Sequence, residues 1–355
     1  MITVQAARCA VMFWQDGKLV WDDYLRHEQL ALTAESERVV RWFADWKDLD
    51  TAHALGDHAH AVAVRLLEAG VLIGRDSPAD LAEQRVLAQW GAFGPAARYF
   101  HFAARTDTET RYLDLQADRA YFADKARADP PPPVAKTYPD RKLFALTENA
   151  VGQGWARPDL RDAVRERRSV RTFSADPISL AAISDLLRLT GGVIDAFDHP
   201  QLGTTLRKSS PSAGGRTPLE LYLYANRVDG LEPGLYHFAP TRNGLEAIGP
   251  AIPDDVRLAA LGGQPWLVDG AALVIHTAVI ARTRWRYETR RAYRDILIEL
   301  GHVSQTLLLT SSALGLGAVF ATAVQDEALE RLIGVDFTAE VALGVTSIGR
   351  PVPGA

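Results

Sequence analysis

The sequence has 355 residues, of which 47% are hydrophobic and 23% are charged, and a formal net charge of −5 at pH 7. This profile is typical of a globular protein with a substantial core, and the slightly acidic balance argues against a surface for nucleic acid or an anionic membrane. The single cysteine, Cys9, excludes an intrachain disulfide and a site built from several thiolates. Because the sequence lacks an apolar run of membrane-spanning length and a secretion signal, we expect a cytoplasmic protein.

The N-terminal part begins with a predicted hairpin and a predicted helix. The aromatic and β-branched runs Val11–Trp14 and Leu19–Tyr24 are joined through Asp16-Gly17, a dipeptide typical of tight hairpins. Thr33 is suited to cap the helix that follows. That helix would carry acidic residues in its first turn and apolar residues on one face: Glu35, Glu37, Val39, Phe43 and Trp46.

A second helix is predicted from about His58 to Ala69, where Gly70 ends it, and a strand over Val71–Ile73 follows. A hairpin, helices and a final strand resemble a winged-helix module in outline. In peptide-modifying enzymes, modules of this outline bind the leader of a precursor peptide as an added edge strand, and simple packing against the second domain is the alternative. The helices carry little surplus Lys or Arg, which argues against DNA binding.

Four consecutive prolines, Pro130–Pro133, mark the clearest boundary in the chain. Prolines remove backbone donors and stiffen the chain into an extended spacer. We therefore predict an N-terminal domain over residues 1–125, a Pro-rich linker over 126–145 and a second domain over 146–355.

The second domain mixes helices and strands. Ser179–Leu189 and Tyr293–Leu314 have helical spacing, whereas Leu219–Val228 and Ala271–Ile280 are predicted to be buried strands. This mixture predicts an α+β fold. A Rossmann fold is excluded because no Gly-x-Gly-x-x-Gly run follows a strand, and no internal repeat is visible.

A run of cations precedes the first helix of this domain, in Arg167–Phe173. Arg side chains grip a phosphate with two donors at once, and a Ser hydroxyl adds another. The run therefore predicts an anion site at Arg167, Arg168, Ser169 and Arg171, although Arg-rich turns are often only solvated surface.

Further motifs follow the cationic run in a fixed order. They are Pro-Ser-Ala-Gly-Gly at 211–215, Pro-Leu-Glu-Leu-Tyr at 218–222, Gly-Leu-Tyr-His-Phe at 234–238, Gly-His-Val-Ser-Gln-Thr-Leu at 301–307, Leu-Gly-Leu-Gly-Ala at 314–318 and Gly-Arg-Pro at 349–351. In this order the motifs resemble the flavin-binding nitroreductase superfamily and, within it, the SagB-type dehydrogenase branch. The resemblance covers about residues 146–355 and implies a nitroreductase-like FMN-binding domain, here preceded by the winged-helix-like domain.

The resemblance implies FMN as the cofactor and assigns residues to it. Arg167, Ser169 and Arg171, with Arg168 in the same run, would contact the phosphate or the ring, and Arg350 would complete the phosphate site. The turn would line the ring, where glycines leave room for close approach: Pro211, Ser212, Ala213, Gly214 and Gly215. An ordinary surface turn is the alternative. The backbone near Phe320, Ala321 and Thr322 would meet the edge of the flavin.

Catalysis in the azoline-oxidising relatives is tied to a Lys-Tyr pair ahead of the long helix. This sequence has Arg286-Tyr287 at that place. Arg stays protonated and is a poor base, so Arg286 suits an anion or a carbonyl. Tyr287 would act as the base if neighbouring arginines lowered its pKa. A second departure is Thr217, where relatives often have His, so substrate identity is less secure than cofactor identity.

The resemblance implies an FMN-dependent dehydrogenase that oxidises azolines to azoles in a ribosomally made peptide, with hydride transfer to flavin N5. The partners implied are the precursor peptide, other peptide-modifying enzymes and a second copy in a homodimer. One alternative is an NAD(P)H-dependent reductase of nitro compounds or quinones. Another is a leader-binding scaffold with a silent flavin domain. Neither a metal site near His53, His58 and His60 nor a serine-hydrolase elbow is expected.

Overall fold

The computed structural model describes residues 2–56, 58–106, 114–147, 159–199 and 203–352. The chain divides into two compact units, residues 1–111 and 112–355. Within the described ranges, no helix is long and apolar enough to cross a bilayer.

The described elements of the N-terminal unit are β1 Thr3–Ala6, β2 Ala10–Gln15, β3 Lys18–Asp23, β4 Glu28–Leu32, α1 Ala34–Trp42, β5 Lys47–Asp48, a 3-10 helix Leu49–Leu55, α2 Ala59–Glu68, β6 Leu72–Gly74, α3 Pro78–Trp90, a 3-10 turn Gly91–Phe93 and α4 Gly94–Ala103. Its strands form two three-stranded sheets, ordered β5-β1-β6 and β2-β3-β4.

The predicted hairpin turn and the predicted helix cap in this unit are confirmed. The β2–β3 hairpin turns through Asp16 and Gly17, both with positive φ, as a two-residue turn of the type-I′ kind requires. Thr33 caps α1 by accepting a hydrogen bond from the Ser36 amide. The helix ends at Trp42, so the prediction that Trp46 extends its apolar face is wrong.

The second unit is an α+β fold, as predicted. Its described elements are α5 Leu115–Ala128, β7 Leu143–Ala145, α6 Leu160–Glu166, β8 Ile178–Ser179, α7 Leu180–Gly191, β9 Asp195–His199, β10 Gly203–Arg207, a 3-10 turn Ala213–Gly215, β11 Leu219–Ala225, β12 Val228–Asp229, β13 Gly234–Ala239, a 3-10 turn Pro240–Arg242, β14 Gly244–Pro250, α8 Asp254–Ala260, α9 Pro265–Val268, β15 Ala272–Val279, α10 Ile280–Arg286, α11 Ala292–Ala313, β16 Gly317–Ala321, α12 Asp326–Ile333 and β17 Glu340–Gly349.

A seven-stranded antiparallel sheet ordered β16-β17-β15-β11-β13-β14-β7 forms the centre of this unit. Side chains alternate across β11, so Leu221 and Leu223 join a core with α7 and α11, whereas Tyr222 and Tyr224 join a core with α8, α9 and α12. The long helix α11 therefore covers one face of the sheet and places the site residues described below.

The predicted linker differs from the structure. The unit boundary falls at 111/112 rather than 125, α5 belongs to the second unit, and β7 at the end of the Pro-rich segment pairs with β14. The proline carbonyls accept hydrogen bonds from buried side chains: Arg216 Nη2 donates to Pro132 at 3.1 Å and Arg282 Nε to Pro133 at 2.8 Å. The Pro-rich segment is packed and is not a free spacer, because these side chains donate hydrogen bonds to its carbonyl groups.

Candidate functional site

Three of the sequence motifs meet beside β16. Ser169 forms a parallel bridge with Ala318, and the Val170 amide donates to the Ala318 carbonyl at 3.1 Å. Phe173 pairs with Pro351. A β-carbon at Gly317 would lie 2.7 Å from Val170 Cγ1, so glycine permits this close approach. The cationic run, the Gly-rich run and the C-terminal Gly-Arg-Pro therefore form one structural unit.

The first two arginines of the run line a small cavity of about 50 Å³ against the end of α11. The cavity walls include Glu166, Arg167, Arg168, Leu308, Ser312 and residues 315–318. Two arginines suit a phosphate or another anion, and the Glu166 carboxylate opposes one.

The side chains of two other predicted anion ligands have different contacts. The Arg171 guanidinium carbon lies 5.3 Å from the ring centre of Trp266, and Arg350 Nε donates to the Pro177 carbonyl at 3.0 Å. The Arg350 backbone still pairs with the segment directly after the cationic run, because the Arg350 carbonyl accepts a hydrogen bond from the Ser174 amide at 2.9 Å. Of the four predicted arginine ligands, Arg167 and Arg168 therefore line this cavity, whereas the side chains of Arg171 and Arg350 contact other groups.

The Pro211–Gly215 turn lies against the Arg286-Tyr287 pair. Gly214 and Gly215 have φ of 58° and 63°, and a β-carbon at Gly214 would lie 2.8 Å from Arg286 Cγ and 3.1 Å from Tyr287 Oη. Thr217 also has a positive φ of 44°, which is rare for a β-branched residue. The predicted ring-lining turn and the predicted catalytic pair thus share one site.

Ala321 and Thr322, predicted at the flavin edge, lie at the far end of β16 from the Ser169–Ala318 bridge. Ala321 pairs with Val345 and packs against the core formed with α12, and Thr322 is exposed. Three residues of strand correspond to about 10 Å. The structure therefore separates this pair from the Arg167 cavity.

Arg286 is held by a helix that the sequence analysis did not connect to the site. Its Nη2 lies 2.9 Å and 2.8 Å from the two carboxylate oxygens of Asp118 on α5, and its guanidinium lies 3.9 Å from the ring centre of Phe122. Among the described residues, the buried Arg286 Nε has no hydrogen-bond partner. A fixed, unpaired donor therefore lies beside the Gly214 backbone.

The condition under which Tyr287 would act as a base, a pKa lowered by neighbouring arginines, is not met. Burial raises the pKa of Tyr287, and the nearby Arg286 charge opposes this shift without overcoming it. Tyr287 is therefore a neutral phenol at ordinary pH and can donate a hydrogen bond, but it is not a phenolate base.

A larger cavity of about 550 Å³ borders Tyr287 between α10 and the start of α11. Its walls combine apolar side chains with charged ones: Pro132, Ile280, Trp285, Ile296, Asp129, Arg284, Glu288 and Arg290. This volume is in the range of small-molecule and substrate sites. This cavity was not predicted because its walls come from two segments, 129–132 and 280–296, that are far apart in the sequence.

Charged residues are buried beneath the turn and were also missed. Glu220 on β11 contacts Arg282 at 2.5 Å and His237 at 3.1 Å. Burial acts to raise the pKa of Glu220, but the His237 hydrogen bond and the Arg282 charge outweigh it and lower this pKa to about 2. On α11, burial raises the pKa of Glu299 to about 7. The sequence signal for these two buried carboxylates is a single Glu within each of two otherwise apolar segments.

His302 and Gln305, one turn apart on α11, are both exposed.

The site fits FMN, the cofactor implied by the resemblance, in two respects. The Arg167-Arg168 cavity supplies cations for a phosphate. The unpaired Arg286 Nε offers a donor to a ring acceptor beside the Gly214 backbone.

Comparison with known proteins gives a consistent result. The Nitroreductase family profile matches residues 164–350, about half of the chain. A nitroreductase-designated protein of Methanocaldococcus jannaschii is 31% identical over 194 residues, which are 54% of this chain and 91% of that protein. The trifolitoxin-processing protein TfxB of Rhizobium leguminosarum bv. trifolii is 28% identical over 180 residues, 49% of this chain and 48% of TfxB.

Among solved structures, a nitroreductase-type protein of Anabaena variabilis superposes with a TM-score of 0.52 at 20% identity, covering 73% of this chain and 48% of that one. At 20% identity, the similarity to this structure shows a shared fold alone. This chain spans about half the length of that protein and of TfxB.

Proposed function

Because the chain belongs to the nitroreductase family of FMN-dependent oxidoreductases, we propose that it is a dehydrogenase that matures a ribosomally made peptide, oxidising azoline rings to azoles. The observation that carries the peptide assignment is the shared segment with a relative named for trifolitoxin processing. The motifs of the SagB-type branch support the same assignment.

In this proposal the chain's residues bind FMN at two places. Arg167 and Arg168 hold the phosphate through charge-assisted hydrogen bonds, and Ser169 adds a hydroxyl. The Gly214-Gly215 backbone accepts the flat ring. When bound, FMN supplies a two-electron acceptor.

Arg286 and Tyr287 orient the substrate. The Asp118 ion pair fixes the Arg286 guanidinium, which lies 4.9 Å from the Tyr287 ring centre. Tyr287 keeps its proton and donates a hydrogen bond from Oη. The 550 Å³ cavity beside Tyr287 accommodates the ring-bearing residue of the peptide.

We propose that the working form is a homodimer. On α11, Thr306 lies 3.0 Å from the hydroxyl of Ser210, the residue before the Pro211–Gly215 turn, and Glu299 borders the same small cavity as Ser210. Leu308 and Ser312 line the Arg167 cavity instead. At 3.6 residues per turn, these two pairs lie on opposite sides of a helix about 10 Å wide. A partner copy would bring its turn to the Arg167 cavity of the first. Exposed apolar residues on α11, Leu297 at 41% and Ile298 at 55%, support such an interface.

For the N-terminal unit we propose leader binding. The strand β4 lies at the edge of its sheet, next to a groove of about 270 Å³ lined by Trp21, Leu30 and Gly70. The buried Trp21 Nε1 has no acceptor among the described residues. An added peptide strand would supply one. Leu30→Asp should weaken binding of a leader-bearing precursor, measured by fluorescence anisotropy, without changing affinity for the leaderless core.

A nitro or quinone reductase is the second candidate, favoured by Arg286 in place of Lys and by the M. jannaschii relative. The two functions are separated by reducing the bound flavin anaerobically. A synthetic peptide with one thiazoline ring should bleach the flavin band faster than NADH or NADPH. Rapid bleaching by a nicotinamide alone would favour the reductase, and no bleaching by either would favour a silent scaffold.

A further inference from the structure

The Pro-rich segment at residues 129–134, which we call the carbonyl strip, is fixed at both ends. Residues 130–133 are prolines without a backbone N–H, so their backbone offers only carbonyl oxygens. Trp285 Nε1 donates to the Asp129 carbonyl at 2.7 Å. At the other end, Thr217 Oγ1 donates to the Val134 carbonyl at 2.9 Å. Both donor side chains are buried, so water competes little for these two bonds.

The middle of the carbonyl strip is held by two buried arginines. Arg216 Nη2 donates to the Pro132 carbonyl at 3.1 Å. Next to it, Arg282 Nε donates to the Pro133 carbonyl at 2.8 Å. Hydrogen bonds from a charged donor are stronger than those between neutral groups. The strip is therefore restrained along its length.

All four donors belong to the segments that carry the proposed site. Arg216 and Thr217 directly follow the turn proposed to line the flavin ring. Arg282 and Trp285 lie on α10, which ends at Arg286. The strip is therefore fixed against the same residues that are proposed to orient the flavin and the substrate.

Two neighbouring prolines of the strip have different surroundings. Pro132 lines the cavity of about 550 Å³ that borders Tyr287. Pro131 faces the start of β10, where its Cγ lies 3.1 Å from the position that a β-carbon on Gly203 would take. Both prolines are half-buried. Pro132 is therefore the one whose ring forms part of the cavity wall.

We propose that Pro132 is a specificity-determining residue, whose ring limits the size of the substrate ring that the cavity admits. The inference rests on the proposed function, which places the ring-bearing residue of the peptide in this cavity. A proline side chain has no rotamers through which it could swing aside, and the Arg216 bond holds its carbonyl. A wall of this kind distinguishes substrates that differ by one methyl group.

The test uses two synthetic peptides, one with a serine-derived oxazoline and one with a threonine-derived methyloxazoline, which differ by one methyl group. The measured quantity is the ratio of their kcat/KM values, methyl-bearing over methyl-free, for the full-length flavoprotein in air. Pro132→Ala removes two methylene groups from the wall, so this ratio should rise about tenfold. The flavin-to-protein absorbance ratio should stay at the wild-type value.

Pro131→Ala is the matched control, because it makes the same change to the backbone one residue away from the cavity wall. It should keep the wild-type ratio. Pro132→Leu extends the side chain and should lower the ratio, so it decides the question if Pro132→Ala does not fold. A ratio that is the same in the wild type and in the folded Pro132 variant would overturn the inference.

Failure of the proposed function has a different signature. If the flavin-loaded wild type oxidises neither peptide, the proposed function is wrong. The wall is then tested by the same ratio for NADH-dependent reduction of a benzoquinone and its methylated derivative. A rise confined to Pro132→Ala would support the wall, and equal ratios in the wild type and both alanine variants would overturn it.

Discussion

Arg286 and Asp118 are 168 residues apart in sequence, yet one nitrogen of the guanidinium contacts both carboxylate oxygens, at 2.9 Å and 2.8 Å. This pair connects α5 to the end of α10, where Tyr287 follows. Where the resemblance implies the flexible ammonium group of a Lys, this chain has the planar guanidinium of Arg286, which Asp118 holds in place. Tyr287, which we propose orients the substrate, therefore lies beside a charge that another helix holds in place.

The Asp118 pair makes a prediction about Tyr287. The Asp118 charge acts to raise the pKa of Tyr287 and the Arg286 charge acts to lower it. Asp118→Asn should therefore lower this pKa, and Arg286→Met should raise it. The change in phenolate absorbance with pH, taken as the difference from Tyr287→Phe in each background, measures it. Equal values in both variants would show that burial alone sets the shift.

FMN affinity should depend on the first two arginines of the run and much less on the third. Arg167→Ala or Arg168→Ala removes a charge-assisted contact, which corresponds to roughly a 10- to 100-fold weaker Kd. Arg171→Ala is the matched control, because Arg171 stacks on Trp266 instead. Fluorescence titration with FMN measures all three. An Arg171 effect as large as that of Arg167 would place the phosphate elsewhere.

Because of Glu299, stability should fall as the pH rises from about 4.5 to about 7. Its pKa is raised to about 7 in the folded protein, so its contribution is present below about pH 4.5 and is lost as the pH rises toward 7 and above. The loss is on the order of 3 kcal/mol. Urea unfolding of Glu299→Gln should lack this part of the pH dependence. A variant curve parallel to wild type would contradict the assignment.

The exposed apolar face of α11 should control assembly. Leu297→Glu combined with Ile298→Glu places charges at the proposed two-fold interface, so the protein should become monomeric and lose FMN while keeping its secondary structure. Light scattering after gel filtration and the flavin-to-protein absorbance ratio measure the two effects. Val256→Glu, an exposed position on α8, is the control. A monomeric variant that keeps its flavin would refute the shared site.

The parts of the fold that sequence predicted are those with local causes. The Asp16-Gly17 turn, the Thr33 cap and the 22-residue helix α11 each follow from signals within a few residues. The packed Pro-rich segment was missed because its partners, such as Arg282, lie about 150 residues away. Proline composition alone does not distinguish a free spacer from one whose carbonyls are bonded.

In the candidate site, too, contacts between residues distant in the sequence could not be predicted from local signals. Order and spacing grouped the motifs, and the structure brings Ser169 to Ala318 and Gly214 to Tyr287. The direction of a pKa shift depends on burial, so sequence alone does not determine its sign for Tyr287. The contacts of Arg171 and Arg350 depend on side-chain directions that a motif does not specify.

The most direct test of the proposed dehydrogenase is the mass of a synthetic thiazoline-bearing precursor after incubation with the purified flavoprotein in air. We expect the mass to fall by two hydrogen atoms per ring, and we expect Tyr287→Phe, with its flavin retained, to slow this change. An unchanged peptide, alongside rapid oxidation of NADH or NADPH by an added quinone, would contradict the proposed dehydrogenase.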